Sequence, residues 1–345
     1  MGAGLFVIIA LLSTCKVARC MSTTALLPLL ADGQFHSGQD LADTLGISRT
    51  AVWKQLRKLD ELGLHAETVK GRGYRIAGGI ELLDGALIRA ALRPSAAARL
   101  GQLLLVESVD STNAEVLRQL QQGAGSGLVC AAERQSTGRG RRGRQWVSPY
   151  GANLYLSLAW EYAQGAAVLE GLSLAVGVAV ARALAACDVP PVQLKWPNDI
   201  VCDGAKLGGI LLEMTGDAAG TCRIVTGVGL NVAMPAAAAG SIDQSWTDIV
   251  TLTSGVHPGR NVLLAALLNE LLPLLASFEA DGFAAWRDAW LALDAFANQR
   301  VVLRAGDTQW AGVARGVDVR GALQLETATG MQSVHGGEIS LRAAP

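Results

Sequence analysis

The stretch GRGRRGRQWVSP, residues 138–149, places four arginines within seven positions and contains no acid. The flanking chain is nearly neutral. A run of this kind is a nucleic-acid grip, a solvated surface loop or a clamp for a small anion, and its surroundings decide between them. Before it stands the apolar VCAAERQS. After it, NLYLSLAW has the pattern of a half-buried strand. The loop therefore joins two strands. Gly138, Gly140 and Gly143 let its backbone approach a ligand, and Arg139, Arg141, Arg142 and Arg144 carry forked donors suited to carboxylate and phosphate oxygens. Because the arginines repel one another, the empty loop is expected to be mobile and an anion to order it.

Working outward, QLLLVESV, GLVCAAE, NLYLSLAW, VQLKW, GGILLEM and IVTGVGLNV read as strands. STNAEVLRQLQQG and the alanine-rich GLSLAVGVAVARALAAC read as helices. Several strands follow one another without a helix between them, which predicts an α+β domain with a mixed or antiparallel sheet. Residues 262–290 are expected to be helical. From about residue 299 to 342 short strands alternate with glycines, the pattern of a small β-barrel. GGIELLDGALIRAALRPSAAARLG, ahead of the first strand, reads as a connector.

The chain before that connector has a different pattern. HSGQDLADTLG offers Ser37 as a helix cap, Asp40 in the first turn and Gly46 as a stop. ISRTAVWKQLRKLDELG restarts with Ser48 as cap, and Val52, Leu56, Leu59 and Leu62 form one apolar stripe. Arg49, Thr50, Trp53, Lys54 and Arg57 lie off that stripe. HAETVKGRGYRI then reads as a hairpin with Gly71-Arg72-Gly73 at its tip. Two helices and a hairpin outline a winged helix-turn-helix, whose second helix enters a major groove while the wing touches backbone. Residues 49–75 hold seven Lys/Arg against three acids, a local excess of four. This places the DNA contacts at Ser48, Arg49, Thr50, Trp53, Lys54, Arg57 and Arg72. The alternative is a helical interaction module whose charged face is simply solvated.

The bulk numbers set limits. The 345 residues suffice for two or three domains, and a net charge of −1 leaves no global basic field for nucleic acid or membrane. Six cysteines, Cys15, Cys20, Cys130, Cys187, Cys202 and Cys222, include no Cys-x-x-Cys pair. Cys130, Cys187 and Cys202 sit in apolar stretches and read as buried thiols. No histidine pair has metal spacing, and the pattern suits a reducing compartment. GLFVIIALL is too short to span a bilayer. Residues 1–20 are expected to be a non-structural extension, with Met21 opening the folded part. The boundaries that follow are 21–80 for the winged helix and 81–101 for the linker and start of the catalytic domain. The catalytic domain spans 102–295 and the small barrel 296–345.

Three further stretches carry chemistry. KWPND, Lys195 to Asp199, places a cation, an indole and an Asn-Asp pair at a strand end, with Pro197 forcing a turn. Asp199 either neutralises Lys195 or helps to hold a metal ion. KLGGILLE puts Lys206 ahead of a strand, with its ammonium at a sheet edge. GVGLNV uses Gly227 and Gly229 to bring backbone near a ligand, beside the donor and acceptor of Asn231. No Ser-His-Asp set, no Cys-His pair and no G-x-x-x-x-G-K-[ST] stretch is present. Such a site stabilises negative charge without a covalent enzyme intermediate. Joining a carboxylic acid to a nucleotide, with pyrophosphate leaving, fits that description.

In order and spacing, GRGRRGRQW, GANLYLSL, KWPND, KLGGILLE and GVGLN resemble the biotin protein ligases. With the winged helix before them and GGEISLR after them, the similarity is to the bifunctional kind that also represses biotin-synthesis genes, and it extends from Met21 to Arg342. The resemblance implies a biotin/lipoate-ligase-like catalytic domain and an SH3-like C-terminal barrel. It implies that Ser111, Thr112, Asn113 and Gln135 bind the biotin head group. Arg139, Gly140 and Arg141 would close over biotin and its adenylate, and Lys206 would stabilise the charge that develops in adenylation. Lys195, Asn198 and Asp199 would lie near phosphate and magnesium. Asn231 and Trp246 would contact the nucleotide, and Arg342 would reach back from the barrel. ATP and Mg2+ enter as the substrate complex with biotin, and no tightly held metal or prosthetic group is expected. The partners implied are a biotin carboxyl carrier protein, operator DNA and a second copy of the chain in a ligand-promoted homodimer, in the cytoplasm and without a membrane. Gln145 departs from the family, in which a basic residue is common at that position. Two other readings remain at this point: a lipoate or octanoate ligase on the same fold, and a ligand-sensing transcription factor without catalysis.

Overall fold

The computed structural model describes residues 25–217, 220–255, 257–305, 308–336 and 339–343. The apolar run at 1–20, Cys15, Cys20, Met21, and Gly337 and Glu338 of GGEISLR lie outside them. The chain divides into two compact units, one ending at Gly79 and the other starting at Ile80.

In the first unit the helix Gly38–Leu45 begins where the Ser37 hydroxyl accepts the Asp40 N–H, and it ends at Gly46 in the left-handed region. Ser48 caps the second helix, Arg49–Glu61, by accepting the Ala51 N–H at 3.2 Å. Val52, Leu56 and Leu59 are buried, whereas Leu62, at the end of the same stripe, is only half-buried. Strands β1 (Ala66–Val69) and β2 (Gly73–Ile76) form the antiparallel wing, and His36 bridges to Tyr74 beside it. On the second helix, Trp53 is 50% exposed and the Arg57 guanidinium lies 5.2 Å from its ring centre. At the wing, Arg72 and Arg75 both pack on the Phe35 ring, at 4.3 and 4.5 Å. A cation on an aromatic face is held in place without losing its charge.

The second unit is built on a seven-stranded sheet of order β3-β4-β5-β9-β8-β7-β6. Its strands are β3 (Gln102–Val109), β4 (Leu128–Gln135), β5 (Leu154–Tyr162), β6 (Gln193–Lys195), β7 (Asp199–Cys202), β8 (Ala205–Gly216) and β9 (Cys222–Leu230). β3 and β4 are parallel and every other pair is antiparallel, which makes the sheet mixed as the strand succession predicts. On one face, the helix Thr112–Gln121 buries Val116 and Leu120 against Leu128, Cys130, Ala159 and Val225. The large core lies on the other side, around the helices Leu172–Ala185 and Arg260–Asp281. By length and composition Arg260–Asp281 could cross a membrane, but its leucines are buried within this core.

The connector is more structured than its sequence suggests. Residues Gly85–Ala90 and Pro94–Ala97 are two short helices, and Ile88 and Ala96 are fully buried in the core of the catalytic unit. The buried guanidinium of Arg260 pairs with Glu133 at 2.7 Å and donates to the Glu81 carbonyl at 2.7 Å, while the Glu81 carboxylate accepts the Arg260 and Asn261 N–H groups. With so little exposure, Arg260 and Glu133 depend on each other for pairing.

The remaining strands, β10 (Arg300–Ala305), β11 (Thr308–Val317), β12 (Leu323–Thr327), β13 (Gly330–Val334) and β14 (Ile339–Ala343), form an antiparallel sheet of order β13-β12-β11-β10-β14. This sheet stands where the small barrel is expected. Contacts that fix it to the rest of the unit include Trp196 Nε1 donating to the Gly321 carbonyl at 3.2 Å, Arg287 Nε donating to that of Val317 at 2.8 Å, and Arg320 paired with Glu170. Cys130, Cys202 and Cys222 are buried free thiols, whereas Cys187, expected to be buried, is half-buried. Burial pushes the Cys130 thiol up to about 12, which makes it inert.

Candidate active site

One cavity of about 790 Å³ opens on the face of the sheet that carries the Thr112–Gln121 helix. Ser111, Thr112 and Asn113 line it at the start of that helix, and Gln135 lines it from the end of β4. The four are held as a group. Gln135 Oε1 accepts the backbone N–H of Thr112 at 2.9 Å, so it satisfies one of the unpaired donors of the helix N-terminus. Asp110, just before them, receives a bidentate pair from Arg118 at 2.7 and 2.9 Å, and this holds its carboxyl down at about 2. The helix start is therefore anchored on both sides.

The floor is made of β5, β9 and β8 in register: Gly227 stands between Ser157 and Leu211, and Gly229 between Tyr155 and Gly209. Here the glycines do something the sequence reading did not foresee. A Cβ on Gly227 would lie 2.3 Å from Asn113 Oδ1, and one on Gly229 would lie 2.6 Å from the Trp146 indole. Both glycines line the cavity, and both make room for a side chain that lines it with them.

The arginine loop is folded by pairs between its two arms. Gly138 O accepts the Trp146 N–H at 2.8 Å, Arg144 O accepts the Gly140 N–H at 2.7 Å, and Arg142 turns the tip in the left-handed region. Arg139, Gly140 and Arg141 line the cavity. Repulsion is relieved because the arginines diverge to separate partners. Arg139 Nη1 meets Glu213 at 3.2 Å, and Arg141 Nη1 donates to Asn198 Oδ1 at 2.9 Å. Burial draws the Arg141 guanidinium below its ordinary value, partly offset by Asp199.

KWPND forms the hairpin between β6 and β7, in which Lys195 and Asp199 are register partners. The β7 half of that hairpin was missed in the sequence. Lys206 is not at an open sheet edge: it pairs with Val201 of β7 on one side, and on the other it bridges to Trp246 and its N–H donates to the Ser245 carbonyl at 3.0 Å. Asp199 meets Lys206 Nζ at 2.5 Å and Lys195 Nζ at 4.0 Å. One carboxylate thus serves two ammonium groups, and burial draws the Lys195 ammonium below its ordinary value. Lys195, Asn198, Asp199, Lys206 and Arg342 all line the cavity, the last from β14.

Two expected nucleotide contacts, Asn231 and Trp246, stand beside the cavity lining and not in it. Asn231 is buried, and its Nδ2 donates to the Thr247 carbonyl at 3.0 Å. Trp246 pairs with Lys206 in a short bridge, and its neighbours Asp243, Gln244 and Ser245 line the cavity. Among the described residues no group of three or more His, Cys, Asp or Glu could hold a metal ion. Trp146 and Ser157 gained no role from the sequence. The signal for Trp146 was the pair of small residues at 209 and 229, which only strand register brings together.

A model of the Biotin/lipoate A/B protein ligase family matches residues 105–231, one of an HTH domain residues 23–75, and one of the Biotin protein ligase C terminal domain residues 296–342. The Bifunctional ligase/repressor BirA of Escherichia coli (strain K12) is 41% identical over 319 residues, covering 92% of this chain and 97% of that protein. The protein of the same name from Bacillus subtilis (strain 168) is 30% identical over 90% of this chain and 95% of its own length. Among solved structures, the biotin protein ligase from Aquifex aeolicus in complex with biotin and ATP superposes with a TM-score of 0.60 at 25% identity, covering 71% of this chain and all of that one. The chain therefore belongs to the biotin protein ligase family, within its bifunctional ligase/repressor group.

Proposed function

We propose that this protein is a biotin protein ligase that activates biotin with ATP and transfers it to a lysine of a biotin carboxyl carrier protein. The observation that carries this reading is the cavity itself: Lys206, Lys195, Arg139 and Arg141 line it, and among its described lining residues there is no histidine or cysteine. Such a pocket favours attack by the substrate's own carboxylate.

In the first step a biotin carboxylate oxygen bonds to the α-phosphorus of ATP, the bond to the β-phosphate oxygen breaks, and pyrophosphate leaves. Lys206 stabilises the charge that develops on the α-phosphate oxygens. In the second step the acceptor amine attacks the acyl carbon, AMP leaves, and the amine proton passes to solvent. Ser111, Thr112, Asn113 and Gln135 orient the ureido head. Arg139, Gly140 and Arg141 cover the adenylate and keep water from it. Lys195, Asn198, Asp199 and Arg342 receive the phosphates with the Mg2+ that accompanies ATP, and Trp246 serves the nucleotide end. Asn231 shapes the site through the Thr247 carbonyl it holds.

The winged helix gives the second activity, repression at an operator of biotin-synthesis genes. Ser48, Arg49, Thr50, Trp53, Lys54 and Arg57 are offered by the second helix and Arg72 by the wing. Two such units in a ligand-promoted homodimer match the two half-sites of an operator. The free thiols at Cys130, Cys187, Cys202 and Cys222 suit a cytoplasmic setting.

The test is ATP–pyrophosphate exchange with biotin, lipoate or octanoate added separately. Exchange that requires biotin and collapses by ~100-fold or more in Lys206→Ala supports the reading. Exchange with lipoate or octanoate instead makes the chain a ligase for another acid. No exchange with any acid makes it a sensor without catalysis.

A further inference from the structure

We infer that Glu213 is a positioning residue that docks the arginine loop onto the floor of the cavity and so sets the affinity for the acid substrate. The inference rests on the ligase reading above. Glu213 lies on β8 two and four residues beyond Leu211 and Gly209, so it points to the same face of the sheet. Its two oxygens do different work. Oε2 accepts the Asn113 amide at 2.7 Å, and Oε1 meets the Arg139 guanidinium at 3.2 Å. One carboxylate therefore ties a floor residue to the first arm of the loop.

The same carboxylate sets the sense of a longer hydrogen-bonded row. Asn113 presents its NH2 to Glu213, which leaves its Oδ1 to accept from Ser157 Oγ at 2.6 Å. The reversed amide would set an oxygen against a carboxylate, so the charge fixes the orientation. Ser157 has one proton. It is shared between Asn113 Oδ1 and Thr112 Oγ1, which lies 2.7 Å away, and the Thr112 hydroxyl in turn donates to Gln135 Oε1 at 3.2 Å. Thr112 also donates its backbone N–H to Gln135, Gln135 Nε2 donates to Ser148 Oγ at 3.1 Å, and Ser148 donates to the Trp146 carbonyl at 3.0 Å. Trp146 is the second arm of the loop, paired to Gly138. The row starts and ends on the loop. The groups expected to grip the acid, Thr112, Asn113 and Gln135, are its middle members. Networks of this kind hold their members in one arrangement.

Glu213 is itself outside the cavity lining, so it acts through Asn113 and Arg139. Substituting Glu213→Gln keeps the shape and removes the charge. The loss of a charge-assisted contact raises KM for biotin roughly 10- to 100-fold in the exchange assay, with kcat within about threefold of wild type. Because the side chain is 27% exposed, the melting temperature stays close to that of wild type. The double variant Glu213→Gln/Arg139→Ala loses less affinity than the product of the two single effects, because the pair shares one contact while Glu213 also holds Asn113. Three results overturn the inference: an unchanged KM in Glu213→Gln, a fall confined to kcat, or effects that multiply in the double variant. Should Glu213→Gln fold poorly, equilibrium biotin binding to Glu213→Asp decides. The shorter side chain cannot span both partners, so retained wild-type affinity also overturns it. Failure of wild-type protein to exchange with biotin bears on the ligase reading instead.

Discussion

Gly227 and Gly229 lie two residues apart on the same face of β9, yet adding one methyl group to each should fail in different ways. In Gly227→Ala the new Cβ falls 2.3 Å from Asn113 Oδ1 and 3.0 Å from its Cγ. Asn113 is 3% exposed and bonded to Ser157 and Glu213, so it cannot yield without breaking both contacts. Overpacking a rigid neighbour costs ~1–3 kcal/mol, and each hydrogen bond lost adds ~1 kcal/mol. At a few degrees per kcal/mol, melting falls by on the order of 10 °C. In Gly229→Ala the Cβ falls 2.6 Å from Trp146 Cε2 and 2.9 Å from Cζ2. The indole lines the open cavity and can move by ~1 Å to restore a normal contact distance. Little stability is lost, but the ring then occupies substrate space. Melting falls by less than about 4 °C while KM for biotin rises ~10-fold or more. Differential scanning calorimetry and pyrophosphate exchange on both variants check this. Equal losses of stability in the two, or Gly227→Ala melting with wild type, would refute the packing argument.

Three other outcomes follow from the structure. Arg260→Met leaves Glu133 buried without its cation, so urea unfolding should show a loss of about 3–5 kcal/mol, and a loss below ~1 kcal/mol would contradict the role given to that pair. Arg118 depresses Asp110 from 3.8 to about 2, so its stabilising contribution is complete above pH 3.8 and is lost as pH falls toward 2. The stability gap between wild type and Arg118→Gln should therefore narrow over that range, and a gap that widens in acid would reverse the assignment. Lys54→Ala with Arg57→Ala should weaken operator binding and lower the salt slope by up to about two, while carrier biotinylation continues. Unchanged DNA affinity in fluorescence anisotropy would remove the second helix as the reading element.

Alternating and continuous apolar runs made most strands of the catalytic sheet legible, and the capping serines at 37 and 48 fixed both helices of the winged unit. β7 was lost because its four residues directly follow a proline turn and carry no period of their own. The connector was read as linker because its two helices are short; their burial rests on Ile88 and Ala96, which meet the core only in three dimensions. Motif spacing brought out most of the cavity lining. It could not bring out Ser157 or Glu213, which look like ordinary strand residues until register aligns them with Gly227 and Asn113. It also misjudged Lys206, which is enclosed between β7 and the late segment at Ser245 and Trp246. Partners between strands follow from register, and a single sequence states no register.

Acids and amides around the cavity offset the repulsion among its cations. Seven Lys/Arg line it against three Asp, in a chain whose net charge is −1. Left alone, such a surplus would spread the arginine loop into solvent. Instead Lys206 rests on Asp199, Arg139 on Glu213 and Arg141 on Asn198. These contacts position each cation before a ligand arrives, so little reorganisation is needed when charge develops on a phosphate. They differ in what a ligand must displace. Arg141 donates to a neutral amide, a weaker partner for a cation than a carboxylate. Lys206 shares its acid with Lys195 at 4.0 Å, so when Lys206 turns to a ligand, Asp199 keeps a cation beside it. Arg139 holds Glu213, which lies outside the cavity lining, and can keep that pair while its backbone meets the substrate. The arrangement separates the groups that must stay from those that must move, and the loop can be ordered yet remain responsive to an anion.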